Sequence, residues 1–190
     1  MPRDPTGRSG ARSTVVPVVT LTLAVMILAV LEAHGWRGED ALRAVVRATA
    51  RSSLLLFLGA FLASTFARRW PGPFTRWLLA NRRGVGLSFA VSHLFHGVAL
   101  VLLVRGFPAV GAEIDLATRI GGGLGFAVVA LLAVTSNDVA VRRLGGRRWS
   151  QLHLVGVYFL WAVFVLTYAD SNRVLAGVLV AALVLRLRTR

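Results

Sequence analysis

Asn81-Arg82-Arg83-Gly84-Val85-Gly86-Leu87-Ser88-Phe89-Ala90-Val91-Ser92-His93-Leu94-Phe95-His96-Gly97-Val98-Ala99-Leu100-Val101-Leu102-Leu103-Val104 is the stretch whose reading decides the fold. After the paired arginines, no Asp, Glu, Lys or Arg occurs until Arg105. At 1.5 Å per residue, an uncharged helix over Gly84–Val104 reaches about 30 Å, the thickness of a bilayer's hydrocarbon core. No water is available there, so a crossing segment must satisfy its backbone hydrogen bonds internally, which makes it a helix.

The same reading extends in both directions. Apolar runs at about Val15–Ala33, Ser52–Phe66, Ile120–Val134, Leu152–Ala169 and Val174–Leu187 alternate with clusters of arginine, tryptophan, proline and glycine. Six spans in an all-α integral membrane bundle are therefore expected, forming a single transmembrane domain over 14–190 behind a disordered stretch at 1–13. The first run follows Arg3, Arg8 and Arg12, as a signal peptide would. Leu31-Glu32-Ala33-His34 makes a poor small-residue cleavage site, which favours an uncleaved span. Arg43, Arg47 and Arg51, spaced by four, line one helical face and suit an interfacial stretch leading into the second span. Gly121, Gly122, Gly123 and Gly125 give the fourth span a surface for close helix approach.

Composition agrees with this reading. Of 190 residues, 56% are hydrophobic, more than a soluble domain of this size can cover with polar surface. The 22 basic residues are all arginine against 8 acids, giving a net charge of +14. A nucleic-acid partner would require those charges on one face. Here they lie between apolar runs. With the N-terminus in the cytoplasm, 15 arginines fall on the inner side and 7 on the outer side. That bias sets the expected orientation. Trp70, Trp77 and Trp149 then mark cytoplasmic helix ends, and Trp36 an outer one.

The chain has no cysteine, which excludes disulfides, thiolate metal sites and iron–sulfur clusters within it. His, Asp, Glu, Asn, Ser, Thr and Tyr remain to do chemistry, and the four histidines stand out by their placement. His93 and His96 stand one turn apart at mid-span, and His153 lies just inside the fifth span. Ionisable groups at that depth are expensive and point to function, and neutral imidazole is the commonest haem and metal ligand. The competing reading is polar contact between helices. His34, at an outer helix end, reads as a solvated interface residue. Thr135-Ser136-Asn137-Asp138 reads as a cap or turn, and Tyr158, Trp161 and Tyr168 as packing aromatics.

Three segments together resemble the ferric reductase-like transmembrane domain, in particular the haem-binding membrane subunit of the bacterial methionine sulfoxide reductase system. They are Asn81-Arg82-Arg83 with Gly86-Leu87, Phe89 and His96; Leu132-Ala133-Val134-Thr135-Ser136-Asn137 with Arg143-Leu144-Gly145, Trp149 and Leu152-His153; and Phe57-Leu58 through Arg68-Arg69. The resemblance covers about residues 45–170. It implies haem b, with His96 at a ligand position; His153, and more weakly His93, are the remaining candidates for a second ligand. A further family histidine falls thirteen residues after His153, where this chain has Leu166. His96 stands 13 residues beyond Arg83 and His153 only 4 beyond Trp149, about 20 Å and 6 Å along their helices. They do not form a simple opposed pair.

The implied function is a membrane electron-transfer subunit in the bacterial inner membrane. It would pass electrons through haem iron from a cytoplasmic flavin or quinol donor to an outer-face acceptor, as an oxidoreductase component with a soluble redox partner. The alternative is a haem-free relative kept as a membrane scaffold or partner-binding subunit. Arg142, Arg143, Arg147 and Arg148, four arginines within eight residues, are the expected docking surface for an anionic partner or flavin.

Overall fold

Each of the six apolar runs is helical, and each helix begins before its run does. The protein is represented by a computed structural model describing residues 10–189, excluding the side chains of residues 10–13 and 170. Arg3, Arg8, the side chain of Arg12, and Arg190 thus lie outside the described residues, as do the first nine positions of the expected disordered stretch. In order come α1 (Gly10–Ala33), α2 (Glu39–Arg69), α3 (Pro73–Ala80), α4 (Arg82–Gly106), α5 (Pro108–Glu113), α6 (Leu116–Val134), α7 (Asp138–Leu144), α8 (Gly146–Ser171) and α9 (Arg173–Arg188). The class is all-α, as expected.

Among the described residues, five helices are long and apolar enough to cross a membrane: α1, α2, α4, α6 and α8. The sixth expected span is α9. Its 16 residues rise about 24 Å, short of a hydrocarbon core of about 30 Å. At 31 residues, or about 46 Å, α2 is longer than a crossing requires. Its arginine-bearing first turns continue the same helix, as the Arg43, Arg47, Arg51 spacing predicts. The short helices α3, α5 and α7 fall in segments read as loops.

The exposed surface is that of a lipid-facing protein. On α1, Val18, Leu21, Val25 and Leu28 are all more than half exposed, and among the described side chains only Leu23 is buried. A continuous apolar face of this kind would drive aggregation in water and is ordinary against acyl chains. The chain is a multi-pass membrane protein.

Two units divide the chain, 1–103 and 104–190. In the first, α2 packs against α1 and α3. Phe57 stacks on Phe61 and tilts against Phe89 of α4, at 5.5 Å in each case. Ala63, Leu78 and Val85 form a buried cluster completed by Val15, Leu56, Ala60 and Phe66. Arg82 donates from Nε to the Ala60 carbonyl at 3.0 Å, which fixes the start of α4 to the backbone of α2.

In the second unit, α8 packs against α6, α7 and α9. A Cβ at Gly156 would meet the Leu132 side chain at 2.9 Å, so a side chain there would press on α6. Gly145 joins α7 to α8 with φ near +77°, a conformation that favours glycine. Trp161 donates to the Leu179 carbonyl at 2.8 Å, and the Arg186 guanidinium lies 5.6 Å from the Tyr158 ring centroid. Both contacts tie α9 to α8.

Candidate functional site

The histidines expected to carry chemistry occupy two polar sites inside otherwise apolar helices. The first lies in the α2–α4 pair. Thr49, Ser52 and Ser53 recur at helical spacing on α2 and meet Ser92 and His96 of α4. Thr49, Ser53, Ser88 and Ser92 have no exposed surface. A buried hydroxyl without a partner is costly, and Ser53 and Ser92 bond to each other while Thr49 bonds the backbone of its own helix. Ser53 donates to Ser92 at 3.0 Å, Ser92 and Ser52 are 2.9 Å apart, and Ser52 donates to the Thr49 carbonyl at 3.0 Å. With Ser52 so engaged, Ser92 supplies the hydrogen between the two serines. A directed chain of three hydroxyls then ends on the α2 backbone. Ser88 Oγ is buried with no hydrogen-bond partner among the described residues.

This chain sits one turn from His96 and fixes how α4 is rotated against α2. The Nδ1 atom of His96 lies 3.2 Å from the Val46 carbonyl and 3.3 Å from the Thr49 hydroxyl. A carbonyl only accepts, so Nδ1 carries the hydrogen. In the neutral ring, Nε2 then carries the lone pair. A ligating histidine commonly binds metal through one nitrogen while the other is held by a backbone carbonyl. The His93 ring stands 5.6 Å from that of His96 and 5.5 Å from Phe89, so the two mid-span histidines do share a face.

The second site lies in the α6–α8 pair. His153 Nε2 is 3.0 Å from the Thr135 hydroxyl, whose own hydrogen is directed to the Leu131 carbonyl at 2.7 Å. Trp149 lies against the His153 ring at 4.2 Å and donates from its indole to the Thr135 carbonyl at 2.8 Å. Thr135 and Asn137 are the cap residues expected of this segment. Asn137 accepts from the Ala140 amide at 2.8 Å and starts α7.

Other expected positions are plain. Arg142, Arg143, Arg147 and Arg148 are all exposed on α7 and the first turn of α8. Leu166 is 72% exposed and offers no donor atom. His34 is exposed and bonds the Val30 carbonyl of its own helix. Among the described residues, no three His, Asp or Glu side chains come together as a metal-ion site. The residues that sequence reasoning missed are Thr49, Ser52, Ser53 and Ser92. Their signal was present as hydroxyls recurring every three or four positions inside apolar runs.

A multi-pass, all-α chain with imidazoles held inside its spans defines a class of membrane proteins built to place ring nitrogens within the bilayer. No family model matches it and no solved structure does. Curated relatives do. The chain is 38% identical over 144 residues to the protein-methionine-sulfoxide reductase heme-binding subunit MsrQ of Ralstonia nicotianae, an alignment covering 74% of this chain and 64% of that one. It is 30% identical over 142 residues to the protein of the same name from Klebsiella pneumoniae, covering 68% of each. With the Pectobacterium carotovorum protein it shares 29% over 155 residues, 75% of each. The chain belongs to the MsrQ family. It spans less than two thirds of the Ralstonia relative's length.

Proposed function

We propose that this chain is a haem-carrying electron-transfer subunit of a membrane-bound methionine sulfoxide reductase system, with His96 as the side chain that would hold the haem iron. The single observation that carries the reading is the Nδ1 contact of His96 with the Val46 carbonyl, which leaves the ligating lone pair on Nε2. The family relationship supplies the haem, because the relatives are named heme-binding subunits.

The residues present fit one axial imidazole. Bound haem would supply a one-electron couple whose potential responds to ligation and burial. Around it, this chain supplies the rest. Val46 and Thr49 hold the His96 proton on Nδ1. The Ser52, Ser53 and Ser92 chain keeps α4 in register against α2. The apolar helix faces exclude water. Leu166 stands where the family resemblance implies a histidine, so the proposed site carries a single strong protein ligand from α4. The arginine distribution supports a cytoplasmic N-terminus. The reading adds a bacterial inner membrane, a cytoplasmic flavin or quinol donor, and an outer-face acceptor.

The visible spectrum of detergent-purified protein tests this reading. A Soret band that disappears in His96→Ala, with helical content unchanged by circular dichroism, is the expected result. A wild-type protein expressed with ample haem but lacking the band would instead be the haem-free scaffold that Leu166 favours.

A further inference from the structure

We propose that Thr49 is a positioning residue for His96, holding the ring in its Nδ1–H form through a second acceptor alongside the Val46 carbonyl. This inference rests on the His96 ligand reading above.

Thr49 has no exposed surface. Its hydroxyl lies 2.7 Å from the Val45 carbonyl and 3.1 Å from that of Val46, and it donates its one hydrogen there. The oxygen is thereby left as an acceptor, 3.3 Å from His96 Nδ1. A threonine inside a helix often satisfies its hydroxyl on its own preceding turn and does nothing more. Two features separate Thr49 from that case. Its oxygen contacts a ring on another helix, 47 positions away in sequence. The same ring nitrogen also lies 3.2 Å from the Val46 carbonyl. The two acceptors come from one turn of α2 and face one donor, so α2 specifies which imidazole nitrogen carries the hydrogen. The Ser53–Ser92 bond, at 3.0 Å, joins the same pair of helices and holds the ring at that turn. Outer-shell partners of a ligating histidine typically change metal affinity by about 10- to 100-fold.

The test uses the full chain in detergent with 15N-labelled histidine. The His96 signal is identified by its loss in His96→Gln, and haem affinity is measured by titration of the haem-stripped protein. In the haem-free wild type, His96 is expected as the Nδ1–H tautomer. Thr49→Val, which keeps the shape and removes the oxygen, should shift the tautomer population toward Nε2–H and lower haem affinity about 10-fold. Thr49→Ser should restore both. Circular dichroism confirms that each variant folds. A wild-type His96 in the Nε2–H form overturns the proposal, as does a Thr49→Val protein in which either readout fails to move. If His96→Gln binds haem as tightly as wild type, the ligand reading fails, and the haem-free tautomer alone decides the role of Thr49.

Discussion

The Thr135 hydroxyl lies 3.0 Å from Nε2 of His153, with its own hydrogen committed to the Leu131 carbonyl. His153 is therefore the donor, and the end of α6 is pinned to the second turn of α8. Nε2 is engaged with protein in this arrangement, and the Trp149 ring covers one side of the imidazole.

The first prediction follows from that pin. His153→Ala should destabilise the α6–α8 pair by about 1 kcal/mol, the scale of a hydrogen bond between membrane helices. It should leave haem content close to wild type. Thr135→Val should show the same loss of thermal stability in detergent. The measurements are melting by circular dichroism and haem per chain by absorbance. Loss of haem in His153→Ala with unchanged melting would instead make His153 a ligand.

Leu166 gives the second prediction. If one imidazole ligates the iron, the reduced protein should have a high-spin component and bind carbon monoxide readily. Leu166→His returns a donor to the position where the family resemblance implies one, and should convert the spectrum to a low-spin, six-coordinate form with weak carbon monoxide binding. A wild-type spectrum that is already fully low-spin would show that another side chain supplies the second ligand.

The fold was legible because bilayer thickness is a length, and Gly84–Val104 matches it. The run at Val174–Leu187 was counted as a span on its apolar composition, although its rise of about 21 Å falls short of that length. The place of His96 and His93 on one face at mid-span was legible from spacing. The partners of His96 were not, because Thr49 is 47 positions away and nothing local in the sequence says which face of α2 meets α4. One of the two acceptors facing His96 Nδ1 is a backbone carbonyl, which carries no sequence signal at all. At the other site, Thr135 was legible as a cap. Its contact with His153 needed the α6–α8 packing that Gly156 and Leu132 permit.

Asp115 gives a third prediction, with a sign in pH. Its carboxylate accepts from the Thr118 hydroxyl at 2.6 Å and the Thr118 amide at 2.9 Å, capping α6. These bonds favour the ionised form and hold its pKa below the usual carboxylate range. The cap's contribution is therefore present above the unfolded pKa of Asp and fades only as pH falls through the lower folded value. The protection of the Thr118 amide, its exchange relative to the unstructured rate at the same pH, should be high at neutral pH and fall on strong acidification. In Asp115→Ala that protection should be low at every pH, with α6 beyond its first turn unaffected. Equal exchange in the two proteins at neutral pH would remove the cap.

The last prediction concerns the arginines of α7 and early α8. Arg142, Arg143, Arg147 and Arg148 are all exposed, and the Gly145 turn joins the two short segments that carry them. Two explanations compete. Arginines beside a span hold that end in the cytoplasm without binding anything. Four such charges also create a local positive field that attracts an acidic protein or a flavin phosphate, and that field is screened beyond about 8 Å at physiological salt. The explanations separate when all four residues are changed to glutamine. Retention of topology is checked by labelling a cysteine added at the C-terminus with a membrane-impermeant reagent, which should react only in opened cells. With topology retained, electron delivery from a soluble flavin donor should fall several-fold at low salt. The difference from wild type should shrink as salt rises, because screening weakens the wild-type field and leaves the neutral variant unchanged. Equal delivery by both proteins at every salt concentration would assign the four arginines to topology alone.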